Sequence, residues 1–331
     1  MTEPTSASPP AFLDRKPGLV LFGIFELLIA GFCFLMIPLV IIGSIVTRSA
    51  HVAGVPAMTA GMIASSIGVY LCLAVMFAWL GIGSVMARRW ARSLTLVIAW
   101  FWLVSGIGSL AMVAVIMPDL TIPMPQAQSV PPGLMRTMHL VVMAFSTVIY
   151  VVIPGALVLF YRSRHVKATC EARDPVERWT DRCPLPVLAL TLVTGLAAFC
   201  MPLMGCYNWV FPTFGTILTG LPGAACILPL AVIFAFISWG MYRLTPAAWW
   251  AFLILVLLMA PSAAITFSRV SLIVLYERMG FPKEMIAMMR PCIENHGVLF
   301  ASYGAAWCVA ILAYLAWIRK CFTCAHDPSN S

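Results

Sequence analysis

An all-α integral membrane protein of eight spans, built as two like-oriented four-helix units with both termini cytosolic, is predicted by three observations. The 331 residues are 62% apolar and only 10% charged, with a mean hydropathy of +0.98. Ordinary soluble domains are about a quarter charged, and a water-facing surface has to be polar. Long charge-free runs recur along the chain, each sufficient for the ~20 apolar residues that cross a bilayer. Finally, short motifs of the first half return in the same order in the second.

The spans follow from the runs. Between Pro17 and Thr47 the only charge is Glu26, and none falls in Ser49–Ala87, Ser93–Pro118, Thr137–Tyr161 or Cys183–Tyr242. The last run is long enough for two spans, joined tightly at Cys206-Tyr-Asn-Trp-Val-Phe-Pro212, where turn and interface residues gather. Leu244–Ser268 and Asn295–Ile318 complete the set. The predicted helices are 18–47, 58–87, 93–117, 136–162, 185–207, 217–242, 247–275 and 298–318, with kinks expected at Pro38, Pro154 and Pro261.

Cations set the expected orientation. With the N-terminus inside, fourteen Lys and Arg fall on the cytosolic side, six of them from Arg162 to Arg182, against six outside. The net charge of +8 is thus accounted for by topology and anionic headgroups, and no basic-aromatic stripe suggests nucleic acid. The first apolar run is too long for a signal peptide and lacks a small-residue cleavage site, so it is expected to stay as an anchor.

The internal echoes predict duplication. Ala30-Gly-Phe-Cys33 matches Ala197-Ala-Phe-Cys200, and Trp79-Leu-Gly-Ile-Gly83 with Arg89-Trp90-Ala91 finds Trp239-Gly240 with Trp249, Trp250 and Ala251. Pro132-x-x-Met135-x-x-Met138 resembles Pro282-x-x-Met285-x-x-Met288, and Phe160-Tyr-Arg162 resembles Trp317-Ile-Arg319. Units of four spans insert the same way up, about an axis along the membrane normal. The expected organisation is a tail (1–16), a first unit (17–162), a charged linker (163–184), a second unit (185–320) and a tail (321–331). Within the linker, Asp174-Pro-Val-Glu177 reads as a capping box starting a short helix through Trp179. A four-span unit with Arg89-Trp90-Ala91 at its inner turn resembles small bacterial membrane proteins, which implies a bacterial inner membrane and no activity.

Candidate sites are few. Glu26 lies well inside a span, ~15 Å from Lys16 along the helix, where an acid marks an ion or proton path or pairs with Arg88, Arg89 or Arg92. Arg269 is its cationic counterpart, but in the outer half of the bilayer, so the two are not expected to meet. Arg269–Met289 reads as a helix end followed by an amphipathic helix starting at Pro282. Cys170, Cys183, Cys321, Cys324 and His326 are the candidate metal ligands, the last three in a C-x-x-C-x-H spacing, with acylation beside Arg319-Lys320 as the rival. Cys206 and Cys292 form a disulfide if their compartment is oxidising. No phosphate loop, histidine pair or nucleophile elbow is present, which excludes an ATPase, and no cofactor is expected.

The expected function is therefore non-enzymatic: a structural or accessory membrane protein that binds lipids, membrane partners or a second copy. A transporter or channel for a small solute, with Glu26 proton-coupled, is the alternative. A lipid-modifying enzyme using Asp174 or Glu277 comes third.

Overall fold

The computed structural model describes residues 12–49, 58–116 and 132–324. α1 (Lys16–Ser49) packs along α2 (Ala60–Val85), whose first turn is capped by the Thr59 hydroxyl accepting from the Met62 N–H. α3 (Arg89–Ile116) follows directly. α4 (Pro132–Thr147) runs through a π turn at Val148–Val152 into α5 (Ile153–Arg162), which packs on α3. The π turn precedes Pro154, which supplies no N–H, and a wider turn relieves the ring's clash with the preceding backbone.

α6 (Arg164–Arg173) and a 3-10 turn (Trp179–Asp181) make the link to α7 (Leu185–Cys200). A 3-10 turn (Met201–Tyr207) extends α7 and leads into a small antiparallel hairpin, β1 (Phe211–Thr213) and β2 (Thr216–Leu218). α8 (Gly220–Tyr242) packs against α7 and α9 (Pro246–Arg269), and α9 packs against α12 (Gly297–Cys324). Between these last two lie α10 (Leu272–Arg278) and α11 (Lys283–Asn295). Among the described residues, eight segments are long and apolar enough to cross a membrane, with α4–α5 and α7 with its extension each counting once. Large apolar side chains such as Leu21, Leu28, Phe32, Val232, Phe236 and Trp317 point outward. That surface suits lipid rather than water, and the protein is a multi-pass, membrane-type all-α chain.

Two turns at the α6 end have one geometry. Gly83 accepts from the Arg88 N–H and Ser84 from the Ala87 N–H, both at 2.9 Å. Gly240 accepts from Thr245 at 3.0 Å and Met241 from Leu244 at 2.9 Å. Each is a Schellman closure with a non-glycine residue in the left-handed position, Ala87 at φ 52° and Leu244 at φ 55°. In each, the glycine admits the next helix. A Cβ on Gly83 would stand 2.6 Å from the Ala91 Cβ, and one on Gly240 2.7 Å from the Ala248 Cβ.

Several expectations need correction. The seventh predicted helix ends at Arg269 rather than continuing to 275, because the Ser271 hydroxyl accepts from the Ile273 N–H and starts α10. The linker helix precedes Asp174 instead of starting there, since the residue before Pro175 is held out of the α region. The link at 206–212 is the start of a hairpin, not a bare turn. The last helix extends through Cys324, so Cys321 belongs to it and not to a tail. α11 does begin after Pro282, as its sequence pattern predicts. His326, His51 and residues 1–11 lie outside the described residues.

Candidate functional site

Glu26 stands at the junction of the first four spans. It is 1% exposed, although it lies on a helix whose other face is covered with bare leucine and phenylalanine. The Ser84 hydroxyl, at the end of α2, donates to Glu26 Oε2 at 2.9 Å. The Tyr161 hydroxyl, at the end of α5, donates to Ser84 Oγ at 2.9 Å and stands 3.4 Å from Glu26 Oε1. Thr95, 3% exposed on the second turn of α3, brings a further hydroxyl beside the carboxylate, and its Oγ1 makes no hydrogen bond. The node thus takes one polar side chain from each of α1, α2, α3 and α5.

The arginines considered as partners for Glu26 are engaged elsewhere. Arg88 is 3.5 Å from Asp174, while Arg89 reaches Asp181 at 3.3 Å and Glu171 at 3.7 Å. The charge of Arg92 is felt by Cys170, Glu171 and Asp181, not by Glu26. Among the described residues, hydroxyls and not cations surround the acid. Ser84, Thr95 and Tyr161 escaped the sequence reading because isolated hydroxyls near helix ends are common; their spatial convergence is a property of the turn after α2.

Arg269 lies at the opposite end of the bundle. It packs over the Phe214-Gly215 tip of the hairpin, whose two residues both have positive φ, 39° and 91°, as a two-residue I′ loop requires. The tip's free N–H groups donate into α9, Phe214 to Ser262 Oγ at 3.1 Å and Gly215 to Thr266 Oγ1 at 3.0 Å. Ser262 lies roughly 10 Å down the helix from Arg269, so the hairpin folds back along α9, which satisfies its tip. Glu26 and Arg269 therefore do not form one site. The signal for the hairpin was the Ser262, Thr266, Arg269 stripe, spaced four and three along one helical face.

The charged groups at the α6 end tie three segments together. Asp174, 2% exposed, accepts from Arg178 Nη2 at 2.8 Å and Nε at 3.2 Å, and from the Arg89 N–H at the start of α3 at 3.4 Å. The Arg178 hydrogen bonds, with the Arg89 N–H, hold its carboxyl below the usual range against the opposing effect of burial. Arg173 does the same to Asp14, 2.7 Å away. Glu277 lies instead with Lys283 and Arg290 in an open cleft between α10 and α11.

Among the cysteines, Cys170 sits in the apolar cluster of the first unit and Cys183, with Cys321, in that of the second. Burial pushes the Cys170 and Cys183 thiols up to about 11, so neither is a thiolate at neutral pH. Among the described residues no three metal-binding side chains gather. Cys206 and Cys292 are not bridged to each other by a disulfide.

A lateral groove of about 380 Å³ opens between α2 and the extension of α7, lined by Ser65, Val69, Tyr70, Cys200, Leu203 and Met204 among others. Beside it the Ser65 and Tyr207 hydroxyls meet at 2.6 Å, and Gly61 backs onto the Cys206 carbonyl. No protein-family model matches the chain, and neither a curated protein nor a solved structure matches it.

Proposed function

We propose that the chain is a non-enzymatic, duplicated membrane protein of the bacterial inner membrane, with both ends cytosolic, that works by holding lipid against its lateral face. The observation that carries this reading is the groove beside α2. It opens sideways within two spans, its walls are mostly apolar, and an acyl chain is the ligand that such a wall takes in a bilayer. Membrane partners or a second copy would meet the same apolar surface.

Duplication is supported by the two Schellman turns. Their equivalent residues differ by a constant 157 positions: Gly83 and Gly240, Ala87 and Leu244, Ala91 and Ala248, and on to Arg162 and Arg319 at the last span's end. This register moves the earlier Trp90-Ala91 match by three residues, from Ala251 to Ala248. The contact order is also the same, first span on second, second on third and third on fourth in each unit.

The test is lipid retention. Protein extracted in mild detergent should carry bound phospholipid visible by native mass spectrometry, and Leu203→Trp, which fills the groove, should lose it while remaining folded. Retention by the filled variant would remove the groove from the account. One observation favours a second reading, solute transport with Glu26 as a coupling group: an acid in an apolar span with no cation beside it among the described residues. Solute flux through proteoliposomes that is abolished by Glu26→Gln would establish it in place of the first.

A further inference from the structure

We infer that Glu26 is a proton-binding site, holding one proton on Oε1 in a closed ring with Tyr161 and Ser84. The ring is one hydrogen short. The ring has three oxygen–oxygen contacts: Tyr161 to Ser84 at 2.9 Å, Ser84 to Glu26 Oε2 at 2.9 Å, and Tyr161 to Glu26 Oε1 at 3.4 Å. A phenol and a serine carry one hydroxyl hydrogen each. Tyr161 donates to Ser84, Ser84 donates to Oε2, and both hydrogens are then used. The third contact is filled only by a hydrogen on Oε1, donated back to the phenol oxygen.

Electrostatics lead to the same place. A buried carboxylate needs a cation, several donors or a proton. The groups that face Glu26 are Ser84 from α2, Thr95 from α3 and Tyr161 from α5, all hydroxyls. From α6 the nearest titratable group is the Cys170 thiol, which acts on Tyr161; Arg92, one turn before Thr95, acts on Cys170. A proton is the neutralising species that these surroundings accept. The unbonded Thr95 hydroxyl, buried against the ring, is the spare donor for the moment when the proton leaves.

The second unit shows that the fold does not require this polarity. Ser84, Thr95 and Tyr161 correspond at the same 157-residue spacing to Met241, Phe252 and Ile318, which are buried together in one apolar cluster. The equivalent junction closes with hydrocarbon alone. This comparison rests on the duplication proposed above; the hydrogen count does not.

Infrared difference spectroscopy on the full protein in lipid tests the inference. The wild type at neutral pH should show a protonated-carboxyl C=O band that shifts in D2O, is absent from Glu26→Gln, and moves in frequency in Ser84→Ala and Tyr161→Phe. Glu26→Gln, whose amide donates to Tyr161 and accepts from Ser84, should keep the melting temperature, and Glu26→Leu should lower it. An ionised carboxylate signal assigned to Glu26 at neutral pH would overturn the proposal. So would a carboxyl band that appears only when sodium is removed, since the ring would then be a sodium site. Phospholipid retained by Leu203→Trp, or absent from the wild type, with the band intact would count against the groove and leave the proton site standing.

Discussion

Asp174 shows how one side chain can hold three segments. It joins Arg178 and Arg88 and caps the first N–H of α3, where a carboxylate also meets the positive end of the helix dipole. Its folded carboxyl titrates below the unfolded value of about 3.9, so its stabilisation is complete above that pH and is lost as the pH falls through the folded value. Thermal unfolding in detergent should be insensitive to this group from neutrality to about pH 5 and weaken below about pH 4. Asp174→Asn should lower stability by about 2 kcal/mol at neutral pH, consistent with charged hydrogen bonds, and should flatten the acid limb. The sequence marked Asp174 as a cap but assigned it the wrong helix. Capping chemistry is local in sequence only by habit, and here the recipient N–H is 85 residues away. Glu26 was legible as an anomaly for the same reason that Leu28 was unremarkable: charge in an apolar run stands out. Its hydroxyl partners were invisible because serine and threonine cost little in a span wherever they fall.

Among the elements, the spans were readable and the non-helical hairpin was not. Apolar length announces a transmembrane helix without any knowledge of tertiary structure. The eight-residue hairpin from Phe211 to Leu218 is held because α9 supplies acceptors for its tip, so its cause lies about fifty residues downstream. Replacing both acceptors, Ser262→Ala with Thr266→Val, strands two backbone N–H groups at a cost of about 1–3 kcal/mol each. Gly215→Ala places an L-residue at φ +91° against Arg269 Cδ and should cost at least roughly 1–2 kcal/mol. Both changes should leave helix content by circular dichroism unaltered while exposing Cys206 to thiol reagents faster, because the damage is confined to the hairpin end.

Across the whole molecule, the first four spans and the last four meet where α2 packs on the extension of α7 and where α3 packs on α7 and on the 3-10 turn before it. The recurring turn offers a direct test of the proposed duplication. Gly83→Ala and Gly240→Ala should each destabilise by about 1–3 kcal/mol, as overpacking does. Ala91→Gly should relieve the first and Ala248→Gly the second, with no relief when the pairs are crossed. Double-mutant cycles on melting temperature read this specificity, and relief across the crossed pairs would show that the resemblance of the turns is superficial. The two turns were half visible in the sequence: tryptophan and glycine made them noticeable, but the conspicuous tryptophans suggested a register three residues away from the one in which glycine packs on alanine in both.

The junction around Glu26 also imposes an order on biogenesis. Glu26 is synthesised 58 residues ahead of Ser84 and 135 ahead of Tyr161. A nascent α1 thus enters the translocon with its acid unpartnered, acquires the serine as soon as the second segment folds back along it, and waits through two more segments for the phenol. Ribosome-stalled chains cut before and after α5 would catch the first unit on either side of that closure.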